Sequence, residues 1–76
     1  METHGDQSVA EIYAGIAARE RAIGGERRVL AHLATQGGLP QDRPARERSR
    51  RHHVTTIRTL ESDVRAMEAE LRSRGH

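Results

Sequence analysis

The chain contains no cysteine, no tryptophan, no phenylalanine and no lysine, and Tyr13 is its one aromatic side chain apart from the histidines. Without cysteine there is no disulfide framework and no thiolate zinc site, a composition that fits a cytoplasmic protein. Without stacking aromatics there is no platform for specific recognition of single-stranded nucleic acid. No apolar run approaches the roughly 20 residues that a membrane-spanning helix needs. The opening residues, Met1 to Asp6, are polar and acidic, unlike a secretory signal. Gly-rich phosphate loops and nucleophile–base constellations do not occur. Ser49 near His52 and His53 is too weak a grouping to count, and Glu68 and Glu70 face differently on a helix. The sequence therefore predicts no catalytic centre and no cofactor.

What is present is a seven-residue apolar rhythm that runs twice. In the first half Val9, Ile12, Ile16, Ile23, Leu30 and Leu33 fall on alternating three- and four-residue steps, with Arg19 and Glu26 in the two remaining places. In the second half His53, Ile57, Leu60, Val64, Met67 and Leu71 keep the same rhythm without a gap. A period of about 3.5 residues marks a helix that packs on another helix along one narrow seam. The expected fold is all-α: one helical-hairpin domain over residues 1–76, with helix 1 at about 8–36, a turn over 37–43 and helix 2 at about 44–73. Seventy-six residues form a small core, and a lone hairpin leaves each stripe half exposed. Dimerisation into a four-helix bundle is the expected remedy.

Local signals set the helix ends. Ser8-Val9-Ala10-Glu11 is a capping-box pattern. Gly37 and Gly38 suit a left-handed helix terminus, and Leu39-Pro40 blocks continuation. Pro44 suits the first helical position and is expected to push Arg43 out of helical geometry. Gly24-Gly25 sits inside helix 1 and costs about 2 kcal/mol relative to two alanines. The reading adopted is a continuous helix, the alternative being a break there and a three-helix arrangement. Thr55, Thr56 and Thr59 mark a dip in helix stability. Setting Leu30 opposite His53 places Ile23 near Leu60, Ile16 near Met67 and Ile12 near Leu71. Arg19 and Glu26, as seam charges, are expected either to pair across a dimer or to snorkel to the edge.

Charge is unevenly placed. All thirteen basic residues are arginine, which reflects a GC-rich genome more than chemistry, and the net charge is +2. Residues 39–58 hold six arginines against two acids. Arg43, Arg46, Arg48, Arg50, Arg51 and Arg58 thus form a basic tip that can meet an acidic protein surface or phosphates. The histidines do not form a metal motif: no His-x-x-x-His or Glu-x-x-His occurs, and only a shared site of His32 and His53 is conceivable. The function expected is a non-catalytic protein–protein interaction module: an oligomerising adaptor, assembly factor or inhibitory binder. It acts through Val9, Ile12, Ile16, Ile23, Leu30, Leu33, Ile57, Leu60, Val64, Met67 and Leu71. The alternative is nucleic-acid backbone binding through segment 43–58. Small size and arginine bias would also suit a phage or mobile-element accessory protein.

Overall fold

The computed structural model describes residues 7–76; Met1 to Asp6, the acidic lead read above, lie outside the described residues. Two helices, α1 (Val9–Thr35) and α2 (Arg43–Ser73), pack against each other as an antiparallel hairpin, and no strand occurs among the described residues. The body measures 52 × 22 × 15 Å. A helix with its side chains is about 10–12 Å across, so the protein is one helix thick and two helices wide. Its radius of gyration is 16.8 Å, where a globular chain of this length gives about 11 Å.

α1 begins as its sequence dictates. The Ser8 hydroxyl accepts from the Glu11 N–H at 3.1 Å, and the Glu11 carboxylate accepts from the Ser8 N–H at 2.7 Å. Two amide donors that the helix itself cannot satisfy are thereby paired. The helix runs unbroken through Gly24 and Gly25, so the three-helix alternative is not adopted. Ile12, Ile16 and Ile23 before the glycines and Leu30 after them anchor the helix to α2 and offset the cost of the glycine pair.

The link between the helices differs from expectation in two places. Neither Gly37 nor Gly38 adopts a left-handed conformation; Gly75 alone among the described glycines has positive φ. α1 instead ends at Gln36 in extended geometry, its N–H donating to the His32 carbonyl, which also accepts from the Thr35 hydroxyl at 2.9 Å. With that carbonyl satisfied, the chain leaves the helix without a left-handed residue. Arg43, expected to be non-helical before Pro44, has φ −57° and ψ −45°. A single 3-10 turn, Pro40–Asp42, leads straight into α2 and supplies the helical curvature in advance. Pro44 then falls within the first turn, where its missing N–H would have had no partner in any case.

Ile12, Ile16, Ile23, Ile57, Val64 and Leu71 are buried, with Val9, Leu30, Leu60 and Met67 packed partly buried against them. Ile12 is the most enclosed, at 1% exposure. Gly15 lies against Met67: a Cβ there would stand 2.8 Å from the Met67 Cε. Arg19 faces Asp63. Both contacts fall within a residue of the expected antiparallel register. Toward the tip the match loosens, because His53 meets Glu26 rather than Leu30. At the far end Arg74 donates to the Gln7 carbonyl at 2.5 Å, joining the start of α1 to the end of α2. α2 closes with Gly75 N–H donating to the Arg72 carbonyl and His76 N–H to the Leu71 carbonyl. This is the paired terminus that a left-handed glycine permits.

The glycine pair yields a direct test. A Cβ at Gly24 or Gly25 would meet only the mobile end of Arg28, at 3.9 and 4.0 Å. Gly24→Ala and Gly25→Ala should each raise stability by about 0.5–1 kcal/mol, the ordinary helix-interior difference. Urea unfolding followed by circular dichroism reads this directly. A loss of stability in both variants would show that the glycines serve a close approach of another chain.

Candidate functional site

Two regions carry chemistry: the seam charges and the arginine tip. On the seam, Arg19 donates through Nε to Asp63 at 3.5 Å and through Nη1 to the Gly15 carbonyl at 3.2 Å. Glu26 Oε1 and His53 Nδ1 form a hydrogen bond across the hairpin. Both seam charges therefore find partners within the hairpin, Arg19 reaching out to the exposed Asp63 at the edge of the seam. The reason is geometric. A half-buried charge on α1 lies within reach of α2, and each of the two seam places in α1 meets a complementary polar residue there. Their side chains are 22% and 26% exposed for His53 and Glu26, so water is largely excluded from that bond. Arg27 adds a surface pair with Glu61 at 2.9 Å.

At the tip, α2 starts without a capping side chain and without an acid in its first turn. The N-cap residue is Asp42, whose carboxylate stands at the positive end of the dipole without a hydrogen bond to the first-turn amides. Glu47 is clasped by Arg50, whose Nη2 donates at 2.6 Å and Nε at 3.3 Å, with Arg51 at 3.4 Å on the same carboxylate. The Arg50 hydrogen bond, opposed in part by desolvation, holds the Glu47 carboxyl below the ordinary carboxylate range, and Glu47 in turn raises Arg50. Arg43, Arg46, Arg48 and Arg58 have no acidic partner among the described residues. The Arg46 guanidinium lies over Gly38, where any side chain would collide with it. A side chain there would displace the guanidinium, which is the flexible end of Arg46.

Arg43, Arg46 and Arg50 line a groove together with Leu30, Leu33, Ala34, Glu47 and Val54. Arg48, Arg51 and Arg58 do not line it. The six arginines of the sequence pattern are thus divided between faces rather than gathered on one. Val54 escaped the sequence reading because it stands one residue outside the heptad phase. Asp63 and Glu61 escaped it because flanking positions became informative only once the register was known.

The histidines are engaged separately. His32 Nε2 meets the Gln36 side-chain amide at 3.0 Å. His53 meets Glu26, and the His52 and His53 rings stand edge to face with centroids 5.4 Å apart. No group of three or more His, Asp or Glu side chains converges among the described residues. No described helix is long and apolar enough to cross a membrane. No family model matches the chain, and no curated protein or solved structure matches it.

Two measurements follow from this geometry. A double-mutant cycle on Glu26→Ala and His53→Ala should give a coupling of about 1 kcal/mol, as for a partly desolvated polar pair; additive effects would show that the pair is incidental. For Glu47, a carboxylate held below its unfolded value favours the folded tip above that value. The contribution is lost as pH falls through the lowered folded value. Carboxyl NMR titration should place the Glu47 midpoint below the ordinary glutamate value, and Arg50→Gln should move it back toward that value.

Proposed function

We infer that the protein is a small non-catalytic interaction module, an adaptor, assembly factor or inhibitory binder, that self-associates and presents its arginine tip to an acidic protein partner in the cytoplasm. The observation that carries this reading is the one-layer architecture. Leu30, Leu60 and Met67 belong to the seam yet stay half-exposed, because two helices leave one edge of each stripe uncovered.

Both grooves between the helices mix apolar and charged lining: Ile23, Gly24 and Val64 with Glu20, Arg27, Glu61 and Arg65 on one side, and Ile12, Ala66 and Met67 with Gln7, Arg19, Asp63 and Glu70 on the other. Met67, packed over Gly15, and Leu60 two helical turns away from it are the part-exposed apolar side chains that another hairpin would cover. A non-catalytic role accords with the way the seam's titratable pair, Glu26 and His53, engage each other rather than an open cavity. Nucleic-acid backbone binding ranks second, because the dispersal of Arg48, Arg51 and Arg58 away from Arg43, Arg46 and Arg50 breaks any continuous phosphate track.

Light scattering over a dilution series tests the assembly. A dimer of twice the 8.5 kDa chain mass is expected at micromolar concentration. Met67→Asp and Leu60→Asp should shift the mass toward a single chain, since each sets a charge in an apolar contact. Glu68→Ala, outside the stripe, should leave it unchanged. A well-folded monomer at every concentration would refute self-association.

A further inference from the structure

The groove at the hairpin tip is the one concave surface that combines an apolar floor with unbalanced positive charge. It encloses about 320 Å³ between the last turns of α1 and the first turns of α2. Leu30, Leu33, Ala34 and Val54 supply the floor, and Arg43, Arg46 and Arg50 supply the rim. Glu47 also lines it, but its carboxylate is held by Arg50 and Arg51. Arg43 and Arg46 form no ion pair among the described residues, and Asp42 at the helix start makes no capping hydrogen bond.

We propose that this groove receives an acidic amphipathic helix of a protein partner, with apolar side chains seated on Leu30, Leu33 and Val54 and carboxylates forked by Arg43 and Arg46. The proposal deepens the reading of the tip as a protein-binding surface and rests on it. Helix-in-groove recognition needs a strip of apolar floor a few residues long and a charged border that fixes orientation. Both are here, and arginine's planar fork suits a carboxylate in two-point contact. Phosphate backbones fit less well. They make no use of an aliphatic floor. The other arginines do not extend the rim: Arg48 stands about 160° round α2 from Arg46, and Arg58 about 18 Å further along it.

Fluorescence anisotropy with the full chain tests this. The probe is a labelled synthetic helix of about sixteen residues, with leucines at i, i+3, i+4 and i+7 and glutamates elsewhere. Comparators are the same peptide with the leucines replaced by glutamine, the same peptide with the glutamates replaced by lysine, and a short DNA duplex. At about 150 mM salt the leucine–glutamate helix should bind, and the glutamine peptide should bind at least about tenfold more weakly. The lysine peptide should not bind. Leu33→Asn and Arg46→Glu should each weaken binding about tenfold or more. Arg43→Glu, at an exposed position where folding is not at stake, should do so as well.

Four results would overturn the proposal. They are no binding of the acidic helix, equal binding of the glutamine peptide, tighter binding of the duplex with no effect of Leu33→Asn, and conversion of a dimer to single chains by Leu33→Asn. The last would assign the groove to a second copy. A monomeric protein that still binds the acidic helix would sustain this inference while removing self-association. A dimer that ignores the helix would do the reverse.

Discussion

Two helices laid side by side can bury only the strip along which they touch. Everything else in this protein follows from that limit. The strip here is a run of isoleucine, valine and leucine whose period keeps it facing the partner helix over the length of the rod. Six side chains are buried, Ile12 alone completely, and the next ring of apolar residues stays half-wet. A third layer would enclose Leu60 and Met67; in a body 15 Å thick there is none. Small domains of this size draw limited stability from one core, and a chain without cysteine has no disulfide to add to it; the self-association proposed above would cover the remaining edge.

Hydrophobic matching alone does not fix how two smooth stripes slide past one another, since a shift by one heptad restores most contacts. The polar pairs across the seam remove that freedom. Glu26 with His53 and Arg19 with Asp63 meet only in the observed register. A slip of one heptad would leave partly desolvated charges without partners, at a cost greater than an apolar mismatch of the same size. Replacing both seam charges with leucine would give a stickier helix with a less defined pairing, and more exposed apolar surface for unselective association.

The parts of this fold that were legible in the sequence are those set by period and by local chemistry. Ser8 and Glu11 announce the start of α1. The heptad phase selects Ile12, Ile16, Ile23, Ile57, Val64 and Leu71, and antiparallel closure follows from the turn composition. What was not legible depends on geometry that period does not encode. Gly37 and Gly38 resemble a left-handed terminus, but the His32 carbonyl is satisfied by nearer donors. Gly38 lies instead beneath the Arg46 guanidinium. Arg43 obeys the curvature of the turn before it rather than the proline after it. The partners of Arg19 and Glu26 lie more than twenty residues away, so they emerged only with the register. The division of the arginines among faces likewise appeared only when α2 was given a definite start.

The two ends of the rod are finished differently, and this asymmetry bears on where a partner is met. At the open end the capping box, the Arg74 bond to the Gln7 carbonyl and the Gly75 terminus satisfy the backbone groups that helices leave over. At the tip α2 begins without a capping side chain, with arginines beside its positive dipole end, an arrangement unfavourable in isolation. Asp42 stands at the N-cap position, so an acid faces that end of the dipole although its side chain makes no hydrogen bond to the first amides. The open end is thus closed by specific hydrogen bonds, whereas the tip depends on charge balance between one carboxylate and the arginines that follow it. The tip is therefore the end at which added carboxylates would still find uncapped amides and guanidinium groups, as the proposed partner requires.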